Sequence, residues 1–343
     1  MSITVIATIF VFGLLILFHE LGHFITAKLV GMRVDEFAIG FGPKLVSWKR
    51  GETLYSLRII PLGGFNKIAG MDPEAEQDEQ SFAAKPIWAR MLVIVAGSTM
   101  NFVLPILLLA GVFFSAGIDT PSTEAVIGSI LPDKPAARAG LVTGDRILAV
   151  NDSQIGEWRD FVEVVQGNAG NQLKISYERN GQISNISMVP EYDQKANRGI
   201  VGIMPQIHNY QPNLFESMGL AVKQTYLVAA SMVVGIAQMI TGQISADVAG
   251  PIGVVQMTGE VAQMGMIPLL QFAAFLSINL GLINLLPVPM LDGGHVVTLA
   301  IEGIRGKPLS SSKMQAIQMI GLVLLMMLMI MATFKDVARL KLW

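Results

Sequence analysis

The sequence predicts a polytopic α-helical membrane protein of about four transmembrane helices, with a β region on one side and an inserted α+β domain. Three observations predict it. Of 343 residues, 52% are hydrophobic and 15% charged, against about 25% charged in soluble domains. Four stretches reach the roughly 20 apolar residues that a span requires. Between the second and third of these lies a segment, 123–205, punctuated by turn residues like a small folded domain.

The same composition excludes some functions. A net charge of −2 argues against a nucleic-acid surface. The chain has no cysteine, which removes disulfides and Cys-based zinc or redox centres. Most of the 20 methionines sit in apolar runs such as Met326, Met327, Met329 and Met331, where packing or lipid contact accounts for them.

The first span covers 3–30 and ends in FHELGHF (18–24). It lacks a basic n-region and a small-residue cleavage site, so it is expected to stay in the mature protein. The segment 31–90 follows. Its excess of lysine and arginine places it in the cytoplasm. VDEFAIGFGP and ETLYSLRIIP alternate as short strands. PLGGF (61–65) marks a turn, and acidic MDPEAEQDEQ (71–80) reads as a solvated loop. The second span is 91–116, with Asn101 and Pro105 inside it. Residues 118–212 then lie on the other side of the membrane.

Within that segment, VIGSILPDKPAARAGLVTGDRILAVNDSQI has strand, turn, short helix, turn, strand character. WRDFVEVVQG reads as an amphipathic helix. LKISYERNGQISNISMVP reads as a hairpin turning at Asn180-Gly181. The uncharged stretch 225–242 is short and reads as interfacial or cavity-lining. The third span, 268–291, runs up to Asp292, and 317–334 is the cleanest of the four. Cytoplasmic IRGKPLSSSK (304–313) agrees with this orientation, while the three basic residues of the terminal KDVARLKLW speak against it. Three parts result: 1–117 in the membrane with the β region, 123–205 as the inserted domain, and 206–343 as linker, interfacial helices and the last spans.

The chemistry sits in two short motifs. In HELGH, His19 and His23 are four residues apart and stack on one helical face. Two imidazoles so placed can share one Zn²⁺, with Glu20 beside it to act on a water. By composition, roughly 0.002 such matches arise by chance, and ionisable residues inside spans are usually functional. Catalytic zinc takes three protein ligands and an open position. The other histidines are His208, in the linker after the inserted domain, and His295. In NLLPVPMLDGGH (284–295), Asp292 ends an apolar span, where a carboxylate needs a partner. Asp292 is the favoured third ligand, with His295 in a packing or supporting role. Both motifs fall near the cytoplasmic end of inward-running spans, so they meet at one depth in a polar cavity open to that side.

Segment 123–205, through PAARAGLVTGDRILAVND, resembles a PDZ domain. Together with HELGHF and NLLPVPMLDGGH it makes nearly the whole chain similar to the site-2 protease family of intramembrane zinc metalloproteases, in type to the bacterial regulator-of-sigma-E proteases. The resemblance implies zinc as cofactor, held by His19, His23 and Asp292, with Glu20 as catalytic base. It implies a bacterial inner-membrane protein with an extracytoplasmic PDZ-like domain. The reaction it implies is cleavage of single-span membrane proteins within or near the bilayer, such as anti-sigma factors or signal-peptide remnants.

By position, Asn284 resembles a family asparagine tied to substrate handling. The stretch 34–65 with Gly63-Gly64 looks like a membrane-associated β region that meets substrate. Asn101 in AGSTMNF matches a family Asn-Phe, with Ser98 where proline is common, and no function is rested on Asn101. A helical substrate must unwind to be cut, and freed backbone groups in lipid cost several kcal/mol each, so 53–60 or its neighbour is expected to pair with it as a strand edge. The PDZ-like unit would act as a size filter or capture peptide C-termini by strand addition. A non-catalytic PDZ-containing membrane scaffold or chaperone, or a metal transporter, is the alternative, and both leave Glu20 without a role.

Overall fold

The computed structural model describes residues 2–71, 78–194, 198–244 and 249–339. The middle of the acidic segment 71–80 and the end of KDVARLKLW lie outside the described residues. The chain forms two compact units: Met1–Ala116 together with Asn213–Trp343, and Gly117–Pro212 inserted between them.

The first unit begins with α1 (Ser2–Leu29). Its 28 residues reach about 42 Å at 1.5 Å per residue, ample for a hydrocarbon core of about 30 Å. After it come β1 (Val34–Arg50) and β2 (Thr53–Ile68), then α2 (Ile87–Ala116), which carries Pro105 inside it. Helices α1 and α2 pack through small residues, as membrane helices do. A Cβ on Gly22 would lie 2.3 Å from the Ala96 carbonyl oxygen, so only glycine lets the two backbones meet there. Ala7, Val11 and Leu15 of α1 pack with Leu104 of α2.

The two β elements do more than form a hairpin. Residues 36–39 pair in ascending, parallel register with 54–57 on one side, and residues 34–39 pair antiparallel with 64–68 on the other. Residues 53–58 pair in turn with 44–50. The hairpin therefore doubles back into four paired segments, and β2 passes from one edge of β1 to the other. The crossing is tight: a Cβ on Gly40 would lie 2.7 Å from the Ile60 carbonyl oxygen. Since 53–58 is paired along both edges, the expectation of a free edge at 53–60 is corrected. The segment 64–68 pairs on one side only, and it is the edge without a strand partner that lies against α1. Burial alone would raise the Glu36 carboxyl, but hydrogen bonds from Ser56 and Arg58 outweigh it and hold it below its usual range.

The inserted unit runs β3 (Ile118–Pro121), β4 (Ile127–Ile130), α3 (Pro135–Ala139), β5 (Arg146–Val150), β6 (Ser153–Gln154), α4 (Trp158–Gly167), β7 (Leu173–Arg179), β8 (Gln182–Met188), β9 (Glu191–Asp193), β10 (Arg198–Ile200), β11 (Ile203–Pro205) and β12 (Ile207–Tyr210). A four-stranded sheet of order β6-β5-β7-β8 is joined by three two-stranded ribbons, β10-β9, β11-β4 and β12-β3. Local chemistry sets these elements. Pro135 opens α3, and Gly140 closes it in the left-handed region. Glu157 and Asp160 form a capping box at the start of α4. Asn180 and Gly181 both take positive φ, which a two-residue hairpin turn requires. Ile127, Ile147, Phe161, Val165 and Ile175 fill the core. This is an α+β, PDZ-like unit.

The chain returns to the first unit with α5 (Leu214–Ile240), α6 (Pro251–Met264), α7 (Met266–Asn284), α8 (Asp292–Arg305) and α9 (Ser311–Arg339). A capping box of Asn213 and Glu216 starts α5 at Leu214, well before the stretch 225–242. With its full 27 residues, α5 is long and apolar enough to cross a membrane, as are α1, α2, α7 and Ser312–Ala338 of α9, making five such helices among the described residues. Ala221 of α5 packs with Leu109, Ala110 and Ala274. Asp336 of α9 accepts hydrogen bonds from the backbone N–H groups of Gly250 and Gly253 at the start of α6. Arg90 of α2 donates to both carboxylate oxygens of Glu302 on α8, which fixes α8 beside α2.

Candidate metal centre

His19 and His23 lie one turn apart on α1, with Nε2 atoms 3.3 Å from each other. Asp292, the first residue of α8, places Oδ2 3.7 Å from His19 Nε2 and Oδ1 3.6 Å from His23 Nε2. Among the described residues these three form the one group of His, Cys, Asp or Glu donors that converges in this way. The segment after α7 makes the approach possible. Met290 takes positive φ, and the backbone folds back on the first turn of α8. A Cβ on Gly293 or on Gly294 would lie 2.3 Å from carbonyl oxygens of 285–288, so both positions demand glycine.

The spacing suits zinc. Ligand atoms at about 2.0–2.1 Å from a tetrahedral Zn²⁺ stand about 3.3–3.4 Å apart, close to the 3.3, 3.6 and 3.7 Å separations found here. Two imidazoles and a carboxylate are also a donor set that zinc accepts while leaving a fourth position open.

Each donor is oriented by a second group. His23 Nδ1 lies 2.8 Å from the Val93 carbonyl oxygen and donates to it, which leaves the Nε2 lone pair for a metal. A Cβ on Gly97 would lie 2.2 Å from His23 Nε2, so glycine makes room for the ring against α2. Ser98 Oγ donates to Asp292 Oδ2 at 2.8 Å. The Asn101 amide lies 3.1 Å from His19 Nδ1, while its Oδ1 is buried without a partner. Turning that amide by 180° presents Oδ1 to the Nδ1–H. His19 then also offers Nε2 to the metal, and the orphaned oxygen gains a donor. Glu20, one residue from His19, receives Asn66 Nδ2 on its Oε2 at 2.7 Å and on its own carbonyl oxygen at 2.8 Å.

The structure thus brings His19, His23 and Asp292 together, with Glu20 beside them. Gly64 is also at the site: a Cβ there would lie 3.0 Å from Glu20 Cγ. Gly63 holds φ +127°, and the Phe41 ring occupies the space a side chain would need. Asn284 ends α7, and no hydrogen bond ties it to the three donors among the described residues. His295 follows on the first turn of α8, outside the donor group. His208 is exposed on β12 of the inserted unit. Sequence reasoning missed Asn66, and it gave Ser98 and Asn101 no role. Asn101, an amide between Met100 and Phe102 in an apolar span, carried the one available signal.

The pattern of Peptidase family M50 matches residues 7–328. The chain belongs to this family. Among its relatives, the regulator of sigma-W protease RasP of Bacillus subtilis is 33% identical over 418 residues, covering 98% of this chain and 99% of that protein. The zinc metalloprotease RasP of Bacillus licheniformis is 35% identical over 418 residues, with the same coverage. Both alignments are longer than the 343 residues of this M50 chain, so those relatives carry segments that it lacks. A Clostridium acetobutylicum protein is 38% identical over 334 residues and covers 97% of each chain. Of solved structures, the PDZ domain of the SdrC-like protein from Listeria monocytogenes is 22% identical, covering 25% of this chain and 90% of that one, with TM-score 0.22. The M50 chain is a metallopeptidase embedded in the membrane.

Proposed function

We propose that this intramembrane zinc metalloendopeptidase hydrolyses peptide bonds of single-span membrane proteins within or near the bilayer, with His19, His23 and Asp292 as zinc ligands and Glu20 as catalytic base. The observation that carries this reading is the convergence of the three donors from α1 and α8, with Glu20 held beside them. Zinc, when bound, supplies Lewis acidity to water and to the scissile carbonyl. Glu20 takes the proton of the attacking water and returns it to the leaving amine. The hydrogen bond from Ser98 to Asp292 Oδ2 would keep the carboxylate from rotating away.

A helical substrate must unwind first, and its freed N–H and C=O groups need partners in lipid. The edge 64–68 offers them. It is unpaired on one side and lies against Glu20 through Gly64 and Asn66. Gly63 and Gly64 keep side chains out of the path of a strand laid there, and Asn284 contacts the substrate from the end of α7. The lysines and arginines of 31–90 support a cytoplasmic side for that segment. On this reading the protein sits in the bacterial cytoplasmic membrane with Gly117–Pro212 extracytoplasmic, filtering substrates by size or capturing peptide C-termini.

Zinc content and cleavage of a single-span membrane reporter, compared between wild type and Asp292→Ala, test the assignment. Both are expected to be lost together. An Asp292→Ala protein that keeps full zinc and cuts normally overturns it.

A further inference from the structure

Asn66 is the one side chain of the β region with a hydrogen bond to the Glu20 carboxylate among the described residues. It sits on the unpaired edge 64–68, opposite Phe37. Its Nδ2 reaches two acceptors at once, the carbonyl oxygen and Oε2 of Glu20, at 2.8 and 2.7 Å. Because both neighbours only accept, the NH₂ end must face them, and the amide orientation is fixed by chemistry. The other end, Oδ1, is buried with no hydrogen-bond partner. A buried acceptor left unpaired is unfavourable, and the fold retains it where the opposite end of the same amide is committed to Glu20.

We infer that Asn66 is a positioning residue for Glu20: it clamps one carboxylate oxygen and the backbone of the base to the strand edge, leaving Oε1 to meet water. A glutamate has three side-chain torsions, and few apolar neighbours would hold it in one rotamer. The amide does so from an element other than the base's own helix. It also joins two parts of the site. The strand that receives the unwound substrate and the group that activates water become one hydrogen-bonded piece, so that displacement of the edge displaces the base. The inference deepens the proposed function and rests on the reading of Glu20 as base and of 64–68 as the receiving edge.

Two readouts test it. The first needs no turnover. An infrared difference spectrum between a protein and its Glu20→Gln variant isolates the Glu20 carboxylate band. That band is expected to shift when the pair is compared in the Asn66→Ala background, and an unshifted band overturns the hydrogen bond. The second is kinetic. On a single-span reporter, Asn66→Ala is expected to lower kcat about 10–100-fold, the range for partners that orient catalytic groups. KM, zinc content and melting temperature should hold. Adding Asn66→Ala to Glu20→Asp, whose shorter side chain no longer meets the amide, should then have little further effect. A merely structural Asn66 would lower the melting temperature and act equally in both backgrounds, and this result would overturn the inference. If wild type leaves every single-span reporter uncut, the proposed substrate class fails, and the infrared comparison alone decides Asn66.

Discussion

The two units use buried polarity differently. In the inserted unit, the one fully buried carboxylate among the described residues, Asp145, is spent on the fold: it accepts from the Val142 backbone N–H at 2.8 Å and from Arg179 at 2.7 and 2.8 Å. In the membrane unit, Asp336 and Arg90 also serve the fold, but a second set of polar groups gathers around the two helical motifs. Ser98, Asn101, Asn66 and Val93 each hold Asp292, His19, Glu20 or His23 across an element boundary. A buried polar group must be hydrogen-bonded wherever it is. The difference lies in what the bonds hold: a turn at Asp145, reactive atoms around the two motifs. Removing a polar partner should therefore destabilise the inserted unit at Asp145 but disarm the membrane unit at the motifs.

That contrast can be broken at its strongest point with Ser98→Ala. The loss of the Ser98 hydrogen bond frees Asp292 to rotate, and zinc affinity is expected to fall about 10–100-fold, as read by competition with a chelator. The melting temperature should barely change. Unchanged affinity would mean that Ser98 is a packing residue and that the polar groups of the two units do not differ in kind.

The matching change in the inserted unit is Arg179→Ala. It leaves Asp145 buried with one backbone donor. Arg179 is 37% exposed, so solvent screening keeps the cost below that of breaking a fully buried pair. It should appear as destabilisation of the unit with zinc content unchanged. Zinc lost with Arg179 would contradict the division of roles.

The smallest effect is in pH. Burial alone would raise the Asp145 carboxyl, but hydrogen bonds from Arg179 and the Val142 N–H outweigh it and hold it below the usual carboxylate range. Its folded value is thus below its unfolded value of about 3.9. The stabilisation is full above that value and is lost as pH falls through the lower folded value. Asp145→Asn removes this titration, so the variant, less stable at neutral pH, should lose less of its own stability on acidification than wild type does. A loss equal to that of wild type would remove Asp145 from the account.

Much of this was legible in the sequence, for physical reasons. Spacing of four residues places His19 and His23 on one face whatever surrounds them, and a carboxylate at the end of an apolar run demands a partner. Apolar runs of span length announce themselves. Asn180-Gly181 and the turn around Gly140 are local signals and read directly. What was not legible depends on register across distance. Alternation in ETLYSLRIIP marks a strand but cannot say that 53–58 is paired on both edges while 64–68 is not. The length of α5 was hidden because its first turns carry Glu216 and Lys223, although its capping box was in view. Ser98 and Asn66 became meaningful only when α8 and α1 brought Asp292 and Glu20 to them.

The central claim is that the polar motif at the end of α1 breaks a peptide bond with Glu20 as base. Cleavage of a single-span membrane reporter by wild type and by Glu20→Gln, with zinc assayed in both, tests it most directly. Glu20 is not one of the three converging donors, so the variant is expected to keep its zinc and lose cleavage by at least about 100-fold, the low end for a general base. Equal cleavage by the two proteins would contradict the account.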